Sequence, residues 1–204
     1  MLTKNIILLI LALCCLLPLH AAESATAVLD KAAAKIRASK SLSASYTITA
    51  DGQSNSGTLT ISGDRFTIVS PQISSWYDGR TQWTYSTHVG EVNITEPSPE
   101  ELQQVNPFAI INSFKTHYRA SMLKSAAGEK KIRLTATQAG SDIHSVDLTL
   151  NATTLYPTRI VLNMANRRSV GITVSSVKPG EALPVSFFRY DAAKHPGLPV
   201  VDLR

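Results

Sequence analysis

Cysteine is nearly missing. The 204-residue chain has two, Cys14 and Cys15, side by side in an apolar N-terminal run. Once that run is removed, no disulfide can form, even in an oxidising compartment. About 180 residues are enough to bury a core without one. Aromatic residues are also scarce, at 6%. Charge is unclustered, and the longest basic runs are Lys130-Lys131 and Arg167-Arg168. The formal charge of +5 falls to +4 without Lys4, leaving 19 basic and 15 acidic residues. That is too diffuse for a nucleic-acid footprint. It fits a mildly basic solvated surface, or steering toward an acidic partner.

Catalytic signatures are absent as well. His88, His117, His144 and His195 lie far apart, with no partner at metal-ligand spacing. There is no nucleophile elbow, phosphate loop or dinucleotide fingerprint. Glu100-Glu101 stands where a helix start favours acidic residues, which explains the pair without acid–base chemistry. The Asn-x-Thr triplets at Asn93 and Asn151 are common patterns. These features argue against an enzyme, a bound metal and a cofactor.

What is present begins with residues 1–22, "MLTKNIILLILALCCLLPLHAA". Lys4, the apolar run Ile6 to Leu17, Pro18 and then Leu19-His20-Ala21 make a signal peptide, with cleavage expected after Ala21 or Ala22. The run is short for a membrane span. Leu13 occupies the place where an acylation signal at Cys14 needs a small residue, so a free N-terminus near Ala22 or Glu23 is expected. Residues 23–204 then form one domain.

A helix is expected over 26–38, capped by Thr26, with Val28, Leu29, Ala32 and Ile36 on one stripe. The period then changes to two. In "LSASYTITA" Leu42, Ala44, Tyr46, Ile48 and Ala50 alternate with Ser and Thr. Further strands are expected at 57–62, 65–70, 73–77, 80–86, 90–95, 117–124, 130–137, 143–150, 157–164 and 168–177. Short strands separated by turn signals indicate an antiparallel β architecture. One stretch interrupts them, "PSPEELQQVNPFAIINSF" at 97–114. Ser98 caps a helix, Pro99 opens it and Asn106-Pro107 breaks it. The apolar Phe108, Ile110, Ile111 and Phe114 follow, as a plug in the barrel mouth or as a lid over a cavity.

Both tryptophans flank one turn in "WYDGRTQWTYSTHVGEVNIT". Asp78-Gly79 reads as a two-residue hairpin. That register sets Tyr77 opposite Arg80, Trp76 opposite Thr81 and Ser74 opposite Trp83. Trp76, Trp83 and Tyr85 then share a face with each other. Val92 and Ile94 are the apolar positions of the next strand. An inward aromatic wall is expected, either as packed core or as the side of a ligand cavity.

With its signal peptide, N-terminal helix, "SYTIT" strand, "WYDGRTQWTY" stretch, Pro-rich helical segment and "HPGLPVVDLR" ending, the chain resembles the outer-membrane lipoprotein carrier family, LolA. The resemblance implies a mainly β fold: a curved, incomplete antiparallel β-barrel closed by α-helices that act as plug or lid. It implies a periplasmic carrier, expected to be monomeric, that takes acylated lipoproteins from an inner-membrane ABC transporter complex to an outer-membrane acceptor without a cofactor. A related lipid-binding or sensor module with another ligand is the alternative. The cavity is expected to be lined by Tyr46, Leu59, Ile61, Phe66, Ile68, Trp76, Trp83, Tyr85, Val92 and Ile94. The lid is expected to be Phe108, Ile110, Ile111 and Phe114. In the family an arginine just after the strand matching 57–62 ties down the lid. Here that position is Gly63, and Arg65, two residues on, is the candidate latch. At ~0.8 kcal/mol per buried methylene, on the order of forty methylenes would exceed the ~20 kcal/mol ceiling of non-covalent affinity. Cargo chains must therefore be buried only in part, or their burial must be offset by opening a lid.

Overall fold

The structure, a computed structural model, describes residues 23–99, 101, 102, 106 and 108–204. The expected signal peptide, Cys14, Cys15, Glu100 and Pro107 lie outside the described residues.

Helix α1 spans Ala25–Ala38. Its cap is Ser24, not Thr26: the Ala27 N–H donates to Ser24 Oγ at 3.2 Å. Ser24 has the extended backbone of a cap residue, whereas Thr26 already lies inside the helix. Val28, Leu29, Ala32 and Ile36 form the buried stripe, none more than 5% exposed. Eleven strands then follow the period-two pattern: β1 (Ser41–Ala50), β2 (Gln53–Ser62), β3 (Arg65–Val69), β4 (Ile73–Tyr77), β5 (Gln82–Ser86), β6 (Glu91–Thr95), β7 (Tyr118–Leu123), β8 (Glu129–Ala136), β9 (Ile143–Asn151), β10 (Pro157–Met164) and β11 (Ser169–Gly180). A twelfth, β12 (Val200–Asp202), lies in the C-terminal stretch where no strand is expected from the sequence pattern.

All twelve form one sheet, in the order β12-β6-β5-β4-β3-β2-β1-β11-β10-β9-β8-β7. Its pairs are antiparallel except β12, which runs parallel to β6. The sheet curves but does not close, so the incomplete barrel is the architecture observed. Pairing of β1 with β11 joins the two halves of the chain.

Between β6 and β7 the chain turns onto the inner face. Ser98 and Glu101 make a reciprocal capping box: the Glu101 N–H donates to Ser98 Oγ at 3.2 Å, and the Ser98 N–H donates to Glu101 Oε2 at 2.7 Å. Asn106 Oδ1 accepts the Phe108 N–H at 3.1 Å, capping the start of α2 (Phe108–His117). Helices α1 and α2 pack into the curve of the sheet. The core joins their apolar stripes to the inner-face residues of β1–β3 and β8–β11. Each fully buried Leu, Ile or Phe there contributes roughly 1.5–3 kcal/mol.

Candidate functional site

Alternation divides the first half of the sheet into two unlike faces. On the inner face Leu59 pairs with Ile68, and Ile68 with Ser75. Ser75 pairs with Thr84, and Tyr77 with Gln82. Above these residues lies a cavity of about 450 Å³. Its apolar wall is Tyr46 and Ile48 from β1, Leu59 from β2, Ile68 from β3 and Ile172 from β11, with Phe108 of α2 at one end. The rest of its lining is polar and uncharged apart from Ile73 at the start of β4: Asn55, Ser70, Gln72, Ser75, Gln82 and Thr84. Gln82 Nε2 donates to Ser75 Oγ at 2.9 Å and to Thr84 Oγ1 at 3.2 Å, and the two hydroxyls are 3.1 Å apart.

Gly57 lets the Tyr46 ring lie across β2. A Cβ at residue 57 would sit 2.7 Å from Tyr46 Oη and 2.7 Å from the Val69 carbonyl oxygen. The second contact is backbone and cannot swing away. Gly57→Ala is therefore expected to cost about 1–3 kcal/mol, read as a lower urea midpoint at unchanged slope. Burial pushes the Tyr46 hydroxyl pKa up, keeping that wall neutral.

Of the residues expected in the cavity, Tyr46, Leu59 and Ile68 line it. Ile61 and Phe66 share their face but are buried in the core, and Phe66 stacks on Tyr77 at 5.2 Å. Trp76, Trp83, Tyr85, Val92 and Ile94 are corrections: they point to the opposite, outer face. The loop is longer than two residues. The Asp78 N–H donates to the Thr81 carbonyl, and Trp76 pairs with Trp83 itself. Gly79 takes the left-handed conformation, φ +104°, that this turn demands. The register moves by two, an even step, so the tryptophans still share a face. What differs is which face the cavity occupies.

The outer apolar face is covered by the C-terminal segment. Val92 is fully buried, and its N–H donates to the Pro199 carbonyl at 2.8 Å while β12 runs alongside. Trp76 meets Tyr190 and His195 edge-on at 5.6 and 5.8 Å. Arg65 also faces outward. Its guanidinium lies over the Phe188 ring at 5.3 Å, so it holds the C-terminal segment and not the helices.

Asp78 joins the turn to this cover. Its Oδ1 accepts from the Arg80 and Thr81 N–H groups, and its Oδ2 from Arg189 Nε at 2.8 Å. Burial raises the Asp78 pKa. The Thr81 N–H, the Arg189 guanidinium and the Arg80 N–H outweigh that and hold it below the usual value. A lowered carboxylate pKa stabilises above the ordinary aspartate range, and the gain is lost as pH falls through the lowered value. Asp78→Ala is expected to cost about 1–3 kcal/mol near neutral pH and to speed amide exchange in residues 185–203. The stability gap between variant and parent should narrow as pH falls below the ordinary aspartate range, through the lowered value. A gap that persists there would mean that the carboxylate charge contributes little. Trp76 and Trp83 are expected to keep their emission when the cavity fills, and to shift it when residues 185–204 are deleted.

The four residues expected as lid are all buried: Phe108 2%, Ile110 0%, Ile111 0% and Phe114 3% exposed. Phe108 alone among them lines the cavity. The other three pack in the shared core, where α2 lies against α1 and β7. In this conformation the segment is a plug, the other of the two expected arrangements. The signal was legible, because Phe108, Ile111 and Phe114 recur at three-residue spacing, a single helical stripe that seeks one buried surface. The polar cavity residues Asn55, Gln82 and Thr84 were missed, because polar strand positions read as solvent-facing.

The fold and cavity define a class: an open, helix-plugged β half-barrel with a mixed apolar and polar internal cavity. The family model described as "Outer membrane lipoprotein carrier protein LolA" matches residues 18–166, and the chain belongs to that family. No curated protein matches it. Among solved structures, an uncharacterized conserved protein from Thermus thermophilus has a TM-score of 0.60 at 11% identity, covering 87% of this chain and 98% of its own. A LolA superfamily protein from Nitrosomonas europaea gives 0.45 at 16% identity, over 83% and 99% of the two chains. MucB of Pseudomonas aeruginosa, in complex with MucA, gives 0.47 at 12%, over 82% of this chain and 61% of its own. The first of these likenesses supports the fold. The segment that covers the outer face, beyond residue 180, lies outside the stretch matched by the family model.

Proposed function

We propose that this protein is a periplasmic carrier that holds an acyl chain of a lipoprotein in its cavity and moves it from the inner to the outer membrane. In this reading residues 23–204 are one binding domain behind a cleaved signal segment. An inner-membrane transporter complex loads the domain, and an outer-membrane acceptor unloads it. Membership of the lipoprotein carrier family supports the reading, and one observation carries it: the apolar side chains of Tyr46, Leu59, Ile68, Phe108 and Ile172 line a cavity of about 450 Å³ inside the sheet. Binding needs no bond-making, so release depends on how much is buried. At the ~30 Å³ share of a water molecule per methylene, about fifteen methylenes fit. Their burial is nominally worth about 12 kcal/mol, before the costs of ordering and association. That is well under the ceiling, so a hand-over between partners is feasible.

Native mass spectrometry of protein purified from the periplasm tests the reading. A co-purifying acylated protein supports it. Free lipid in its place favours a lipid-binding module. An empty protein that also refuses a long-chain acyl probe overturns both.

A further inference from the structure

Part of the cavity lining is polar and carries no charge, and two of its side chains are buried. Ser75 is 2% exposed and Gln82 6%. Both line the cavity, as does Thr84. Their hydrogen bonds can be counted. Gln82 Nε2 donates to both Ser75 Oγ and Thr84 Oγ1. One hydroxyl proton is used in the bond between Ser75 and Thr84. The triad holds two hydroxyl protons, so one is left without an acceptor among the described residues. It belongs to a group on the cavity wall. No described residue lining the cavity is charged.

We infer that the cavity takes one acyl chain at a time and selects chains whose head is an uncharged carbonyl, an ester or an amide, by donation from the Ser75–Gln82–Thr84 triad. This deepens the carrier reading and rests on it. A neutral carbonyl oxygen needs one donor, and one is available. An ionised carboxylate brought to the same wall would lose its water and find neither a cation nor enough donors. The volume sets the number of chains. Space for about fifteen methylenes, at ~30 Å³ each, is one long chain and not two.

Three myristoyl probes of equal chain length test this on the mature protein: an N-myristoyl peptide with no charged group, monomyristoylglycerol, and myristate at about pH 9, where the acid is ionised. Displacement of an environment-sensitive apolar dye gives affinities, and native mass spectrometry gives stoichiometry. The expected result is one probe per protein, with both neutral probes at least ~10-fold tighter than myristate. A tighter peptide would identify acylated protein as the source of the carbonyl, and a tighter glyceride would identify free lipid. In the Ser75→Ala/Thr84→Val double variant, with folding checked by circular dichroism, the preference should shrink toward equality. Myristate binding as well as the neutral probes in the parent protein would overturn the head-group selection but leave the carrier reading. Two chains per protein would overturn the single-chain part. If none of the three binds, the carrier reading itself falls.

Discussion

Ile68→Trp is expected to abolish acyl binding and leave the fold intact. Ile68 sits mid-strand in β3, between Leu59 and Ser75, and its side chain faces the cavity. An indole there would project into a space of about 450 Å³ and divide it. Large substitutions in packed cores cost about 1–3 kcal/mol because nothing can move aside. Here the added atoms enter open space, so the stability cost should lie below that range. Losing most of the nominal ~12 kcal/mol of methylene burial should weaken binding by at least ~100-fold. Dye displacement reads the affinity, and thermal unfolding reads the fold. A variant that melts like the parent and still binds would place the acyl site elsewhere.

Ile111→Ala tests the plug directly, and its expected effect is on stability. Ile111 is fully buried within the core shared by α1, α2 and the sheet. Truncating such a residue removes transfer energy and leaves a cavity, at a cost of about 2–5 kcal/mol. That is a large fraction of the ~5–15 kcal/mol that holds a domain together. For a domain of this size Tm should fall by roughly 10 °C. A lid that opens freely would respond differently. Its side chains would contribute little to global unfolding, so Tm would barely move while dye affinity changed. A Tm shift below about 2 °C would restore the lid and remove the plug. An engineered disulfide from the 108–114 segment to the opposite rim gives an independent check. It should leave uptake unchanged if α2 is fixed.

The two outcomes separate the cavity from its support. Ile68 contributes to binding and little to folding, whereas Ile111 does the reverse. Phe108 belongs to both, lining the cavity from the first turn of α2.

Much of this was legible in the chain. Period-two alternation gave eleven of the strands to within a few residues, because a pleated strand places neighbours on opposite faces. Ser98, Pro99 and Glu101 announced a helix start, and the capping box is formed. Even the error in the hairpin was harmless to the faces. A register shift of two residues leaves every side chain where parity put it, so Trp76 and Trp83 stay together.

Parity says that the two faces of β4–β6 differ, but not which of them looks inward. That was decided by segments far away in the chain. Helices α1 and α2 occupy the inner face, so Ser75, Gln82 and Thr84 became cavity wall. Phe188, Tyr190, His195 and β12 occupy the outer face, so Val92 is buried there and Trp76 is partly covered. A hydrophobic face needs cover from water, and any apolar segment that reaches it will serve. Local sequence fixes the need for cover. Only the path of the whole chain chooses what supplies it.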